Sequence, residues 1–274
     1  MSSTPEPYKG MPPAWLTMRS SPFDEQNIPM LEVSDLMAKT WGISREQCDE
    51  FALRSQQRLD AAYTSGLLGD EIVPVTVPGG KKNPDVIVTK DEYPKPQSTM
   101  EGLSKLKPVN AGGVSTAGNS SGVNDGAAYV LMMTPEKAKE YGFVPYAKWV
   151  VGSDIGVEPR FMGIGPAFSN MKALKRVGLT VNDMDVWECN EAFAAQNLSV
   201  IKEIESQSGM TIDQAKWNPN GGAIAIGHPN GASGARIAMF TMKQLEKTGG
   251  KYGIFSSCCG GGHGTTTIIE NLRR

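Results

Sequence analysis

The chain has 274 residues, 39% of them hydrophobic, with a formal net charge of −2 and a pI of about 5.8. That length buries a good core and holds one large or two ordinary domains, while the near-neutral charge excludes a broad nucleic-acid surface and leaves phosphate binding to local contacts. Cys48, Cys189, Cys258 and Cys259 form no disulfide framework, no apolar run reaches the ~20 residues of a membrane span, and no signal-peptide core opens the chain, so the expectation is a cytoplasmic protein.

Residues 1–29, rich in proline, methionine and polar side chains, read as loop. A short helix over 34–40 follows, stopped by Gly42. Ser44 then opens a capping box with Gln47, and Cys48, Ala52, Ser55, Leu59 and Ala62 repeat at four-three spacing before Gly66, which makes Cys48 a packing residue. Residues 70–107 read as the strands EIVPVTVP and DVIVT, a DEYPKP turn and a helix over 100–106. Lys81, Lys82, Lys90, Lys95, Lys105 and Lys107 supply local positive charge, for which a solvated face is the commoner explanation. After the small-residue run VSTAGNSSGVND at 114–125, residues 127–133 read as a buried strand, and Thr134-Pro135-Glu136 caps a helix closing at Gly142.

The remainder alternates: strand 146–157, helix 165–177, strand 185–189, and helix 191–208 with Ala194, Leu198, Ile201 and Ile204 inward. Such alternation predicts an α/β fold with a mixed, largely parallel sheet covered on both faces and catalytic loops at strand ends.

Two glycine-rich stretches stand apart. NPNGGAIAIGHPNGASGAR at 218–236 sets His228 between glycines that let the backbone approach a ligand, and Ile224 and Ile226 alternate as a short buried strand would. Residues 231–247 then read as a helix with Ala235, Ala238, Met242 and Leu245 inward and Gly249 as its stop. YGIFSSCCGGGHGTTT at 252–267 is an apolar strand running into Cys258, Cys259, three glycines and His263, the other histidine. A cysteine just past a strand end, with glycine N–H groups beside it, can act as an acid or base next to an anion-stabilising pocket. Metal binding is disfavoured, because the chain has no Cys-x-x-Cys and no His-x-x-x-His pair. Alone, either stretch also fits a bland reading, a satisfied histidine or a small buried thiol; together they suit a ligand better than a core.

GGAIAIGHPNGASGAR, CCGGGHG and a third motif, NEAFA at 190–194, resemble in content and order the three carboxy-terminal signatures of thiolases. The resemblance implies mixed five-stranded sheets covered by helices, layered αβαβα when complete, and reversible Claisen condensation of acyl-CoA with acetyl-CoA or the reverse thiolysis. No cofactor is implied beyond coenzyme A thioesters as substrates. The family's chemistry uses two cysteines, one acylated and one moving the α-proton, and the resemblance assigns Asn190, His228 and Cys258, with Gly260 offering a backbone N–H to an oxyanion. His228 Nε2–H and a water on Asn190 are expected to hold the enolate oxygen. Cys259 takes a usually aliphatic position and is expected to pack; His263 receives no role.

MSSTPEPYKG resembles a segment that thiolases carry after the acylated cysteine. The nucleophile-bearing first third is therefore expected on a partner, a small subunit, in a hetero-oligomer with a dimeric thiolase-like core; a fragment of a longer chain is the other reading. The division implied is a CoA-binding loop domain over 1–123, the end of the first half over 124–143, and a carboxy-terminal domain over 144–274. Lys95 matches a position near the CoA nucleotide, Asn110 replaces a frequent adenine-side aromatic, and Ser121 with Ala117 would meet the pantetheine arm. Phe193 of NEAFA joins that substrate-binding set. Met30, preceded by Pro29 where short-chain members carry histidine, and Met162 in MGIGP match two methionines that narrow the acyl pocket, which tilts the expectation toward acetoacetyl-CoA. A thiolase-derived subunit that only binds CoA or scaffolds another enzyme is the alternative, and retention of Asn190, His228 and Cys258 speaks against it.

Overall fold

The computed structural model describes residues 21–80 and 83–274, so the MSSTPEPYKG reading and Lys81 and Lys82 lie outside the described residues. Helix α1, Met30–Trp41, begins four residues earlier than expected and stops where Gly42 turns left-handed at φ +61°. Helix α2, Arg45–Thr64, carries both halves of the expected box: Gln47 N–H donates to Ser44 Oγ at 3.2 Å, and Ser44 N–H donates to Gln47 Oε1 at 2.9 Å. The cap contributes about 1 kcal/mol. All five residues of the four-three stripe, Cys48 included, are buried.

Strands β1, Val75–Val77, and β2, Val86–Val88, pair antiparallel, yet their valines stay largely exposed on the surface. Helix α3, Met100–Ser104, follows, shorter than expected. The buried strand expected over 127–133 is absent: the segment forms no regular element, and Tyr129, Leu131 and Met132 are 86%, 71% and 72% exposed. Strand propensity is spent only when a neighbour supplies hydrogen bonds and a face to pack on, and the described residues offer this segment neither. Helix α4, Pro135–Tyr141, has the expected Thr134 cap and the Gly142 stop.

The rest builds one sheet from β3 (Ala147–Gly156), β4 (Val186–Cys189), β5 (Tyr252–Cys259) and β6 (His263–Asn271), in the order β3-β6-β5-β4. Only β4 and β5 run parallel; the two other pairings are antiparallel. The α/β class therefore holds, with four strands in this sheet rather than five and a largely antiparallel pattern. The cause is local, since β5 and β6 are a hairpin and only β4 reaches its neighbour through a crossover.

Helices α5 (Gly165–Val177), α6 (Ala194–Ser208), the single turn α7 (Ala223–Ile226) and α8 (Ser233–Thr248) complete the chain. Alternation along β5 and β6 sends Ile254, Ser256, Cys258 and Ile268 to one side and Phe255 and Ile269 to the other. Helix α5 packs on the first side, where Ser169 and Thr266 hydroxyls meet at 2.6 Å, and α8 on the second, over Gly253. The main core lies beneath α5 and α6, with Trp187 and Trp217 stacked at 5.8 Å and both fully buried. The stripe expected for α8 is corrected: Ser233, Arg236, Ile237, Phe240, Thr241 and Leu245 face inward. Arg236 and the two hydroxyl residues disguise the true face, which keeps helical period but not apolar composition.

Candidate active site

β4 ends at Cys189, and Asn190 begins the turn beyond it, its backbone N–H donating to Ser256 O at 2.9 Å. That bond ties the asparagine to β5, two residues before Cys258. On the other loop, Ile224 and Ile226 belong to helical turn α7 and not to a strand, because four residues cannot distinguish the two periods. Gly227 closes the turn at φ +102°, and a Cβ there would lie 2.5 Å from Asn124 Oδ1. His228 accordingly follows a helical turn, and a parallel β-bridge to Val123 holds it instead of a strand end. Its N–H reaches Asn124 Oδ1 at 3.2 Å and Gly122 O at 3.3 Å, so the 114–125 loop embraces the histidine.

The hydrogen-bond partners of the imidazole favour one tautomer. Ser233 Oγ–H donates to Pro229 O at 3.1 Å, leaving its oxygen to accept from His228 Nδ1–H at 2.7 Å. Nε2 is therefore bare and accepts from Asn190 Nδ2 at 3.4 Å. The resting ring thus offers a lone pair where an Nε2–H donor was expected; that proton must first be collected. Burial and the Arg236 guanidinium push the imidazolium pKa down to about 4, so the ring is neutral at pH 7. Asn190 Oδ1 is buried with no hydrogen-bond partner among the described residues, a free acceptor beside the imidazole.

Cys258 points to the α5 side of β5, half-buried against the main core, and burial, together with the neighbouring Cys259, pushes its thiol up to about 12. It rests as a protonated thiol. Cys259, expected to pack, is exposed, because consecutive residues at a strand end face opposite ways. His263 lies across from it in register and is exposed as well. Gly260 opens the hairpin turn in open space. Among the described residues no cluster of three or more His, Cys, Asp or Glu side chains suits a metal.

Lys95 and Ala117 line one cleft of about 340 Å³ together with Gln56, Tyr93, Leu103 and Leu106. Ser121 does not line it; its N–H donates to Ala192 O at 3.0 Å, and Ser120 bridges Phe193. Phe193, half-buried, caps α6. Met162 is buried in the main core, whereas Met30 opens α1 and is exposed. Asn110 serves the fold, donating to Asp35 Oδ2 at 2.9 Å while the same carboxylate holds Val114 and Ser115 N–H.

Sequence reasoning passed over Ser233, Asn124, Glu191, Asn218 and Ser55. The first lay inside GHPNGAS and the third inside NEAFA, so their positions carried a signal. Ser55, 136 residues from Glu191, carried none.

The Asn190 amide and the His228 imidazole meet, Cys258 lies on the strand that Asn190 is bonded to, and Lys95 and Ala117 line a cleft that none of these three residues lines, all of them on an α/β fold. Family models for the thiolase N-terminal domain and the thiolase C-terminal domain match residues 21–136 and 143–271. The chain belongs to the thiolase family. It is 48% identical over 244 residues to a beta-ketoadipyl-CoA thiolase of Acinetobacter baylyi, spanning 89% of this chain and 60% of that relative. Over 233 residues it is 47% identical to an acetyl-CoA acetyltransferase of Syntrophomonas wolfei, spanning 85% and 57%. The crystal structure of the Bacillus anthracis acetyl-CoA acetyltransferase superposes with a TM-score of 0.87 at 42% identity, covering 94% of this chain and 63% of that one. Human mitochondrial 3-ketoacyl-CoA thiolase in complex with CoA gives 0.81 at 40%, covering 94% and 62%. The chain thus spans about 60% of the length of the relatives it matches. No helix among the described residues is long and apolar enough to cross a membrane.

Proposed function

We propose that this chain is a subunit of an acyl-CoA C-acyltransferase that condenses two acetyl-CoA into acetoacetyl-CoA and runs the reverse thiolysis, with the acylated cysteine supplied by a partner subunit. The observation that carries the reading is the bare Nε2 of a neutral His228, with the Asn190 amide at 3.4 Å. Nε2 takes the proton of the partner's thiol as that sulfur attacks the acetyl carbonyl and CoA leaves. The imidazolium gives that proton back to the partner's sulfur when the enolate carbon later displaces it from the acyl group. Cys258, resting as the thiol its burial favours, gives its proton to the departing CoA sulfur; the thiolate so formed takes a proton from the acetyl methyl in the second half-reaction, and as thiol again it gives one back in thiolysis. The enolate oxygen is held near Asn190, whose free Oδ1 accepts from a water that donates its other O–H to that oxygen. Lys95 and Ala117 place the nucleotide and pantetheine parts in their cleft, and no cofactor beyond the thioester is required.

The exposed apolar run at 129–133 supports a partner that covers this face. The test uses the complex purified under native expression. His228→Ala and Cys258→Ala should each lower condensation by about 100- to 10,000-fold; near-normal turnover in either variant removes that residue from the mechanism. Radiolabelled acetyl-CoA should label the partner, and stable acetylation of this chain alone would end the split-nucleophile reading. The name of the Acinetobacter relative favours a longer acyl tail as the second reading; thiolysis of acetoacetyl-CoA and 3-oxoadipyl-CoA measured side by side ranks the two.

A further inference from the structure

Beside Asn190 lies a buried carboxyl group that the proposed chemistry leaves unused. Glu191 is 1% exposed, and its two oxygens meet three donors from two separate stretches of chain. Oε2 accepts from Ser55 Oγ–H of α2 at 2.6 Å and from the Ile224 N–H of α7 at 3.3 Å. Oε1 accepts from Asn218 Nδ2 at 2.9 Å. Ser55 and Asn218 are committed elsewhere as well. Ser55 Oγ accepts from Gly222 N–H at 3.0 Å. Asn218, the one non-glycine residue with positive φ among the described residues, at +44°, accepts from Cys189 N–H at 2.8 Å and donates to Cys189 O at 2.9 Å. Its amide therefore cannot turn over without breaking both bonds. Gly222 leaves room for the carboxylate: a Cβ there would stand 2.4 Å from Glu191 Cδ.

The network joins two loops. One end is the residue after Asn190; the other is the helical turn that closes at Gly227, directly before His228. Burial pushes the Glu191 carboxyl up, while its three donors, with no required acceptor, pull the other way and suit the ionised form; no other side chain presents two acceptor oxygens in that shape. We infer that Glu191 is a positioning residue, whose buried carboxylate fixes the separation between the Asn190 amide and His228 Nε2 without touching substrate. This inference rests on the acyltransfer reading for its kinetic consequence and on geometry alone for its structural one.

Glu191→Gln is the sharpest variant, since it preserves volume while turning one acceptor into a donor. Its amide must face either Asn218 Nδ2–H or the Ser55 hydroxyl and Ile224 N–H, a donor against donors. In the native complex kcat should fall about 10- to 100-fold with KM for acetyl-CoA within two-fold, the pattern of misplaced groups and not of lost binding. Ser55→Ala, which removes one donor and sits away from the cleft chemistry, should lower kcat several-fold with KM unchanged. An independent readout needs no partner: the chain has two histidines, so ¹⁵N imidazole spectra of the isolated chain report the His228 tautomer directly. The wild-type chain should show protonated Nδ1 and bare Nε2 through pH 6–8, and Glu191→Gln a mixture.

A Glu191→Gln complex with kcat within two-fold of wild type, or a chain with an unchanged His228 tautomer, overturns the inference. If that variant does not fold, Ser55→Ala decides, and a full kcat with an unaltered imidazole spectrum refutes it. An inactive wild-type complex would sink the acyltransfer reading alone; the imidazole spectra would still settle Glu191.

Discussion

The two parts of the chain on either side of Gly142 are built differently. Beyond it, β3 to β6 form a continuous sheet with α5 on one face and α8 on the other, and Trp187, Trp217, Ile254 and Ile268 are shut away from water. Before it, α1 and α2 contribute buried faces to that same core, while β1, β2 and the 129–133 run leave their apolar side chains in solvent. The hydrogen-bonded pair Asn190 and His228 belongs to the first kind of structure, and the cleft-lining Lys95 and Ala117 to the second. On the proposed reading, the atoms that move protons sit on the closely packed part, and the part that meets ligand and partner is the open one.

The difference can be attacked where it is strongest. Gly264 pairs with Cys258 in the hairpin, and a Cβ there would stand 2.1 Å from the Gly165 carbonyl carbon, backbone against backbone. Gly264→Ala should cost about 3 kcal/mol and lower the thermal midpoint by roughly 10 °C; a midpoint within 2–3 °C of wild type would show that the sheet yields more easily than its packing implies. Acid should loosen the same part. Because the folded chain holds His228 near 4 while an unfolded one titrates near 6.5, the folded state loses stability as pH falls from about 6.5 to 4, by at most about 3 kcal/mol. Urea midpoints across that window, with His228→Asn as control, should show the slope in wild type and a reduced slope in the variant. Cys259→Ser should change condensation less than two-fold, against the large loss for Cys258→Ala, since only one of these adjacent thiols faces inward. The smallest expected effect lies in the open part: Leu131→Lys should shift the stability of the isolated chain by under about 0.5 kcal/mol yet weaken recovery of the partner from the native complex. A large loss of stability from that substitution would show that 129–133 is packed within the chain itself.

Helix caps and stops were legible from residues alone, because they depend on neighbours three or four positions away. Ser44 with Gln47, Thr134 before Pro135, and the glycines at 42, 142 and 249 all behave as read. Readings that depended on distant chain fared worse. Residues 127–133 have the composition of a buried strand and no strand beside them, and α8 buries Arg236 where composition favoured alanine.

The sequence by itself determined the family, the three motif residues Asn190, His228 and Cys258, and the punctuation of the helices, since each is written in contiguous residues whose chemistry is short-ranged. Only the tertiary structure decided which nitrogen of His228 carries the proton, which of two adjacent cysteines faces inward, and that Ser55 meets Glu191 across 136 positions. Those depend on hydrogen-bond directions and strand facing, which arise only once the loops are folded against one another.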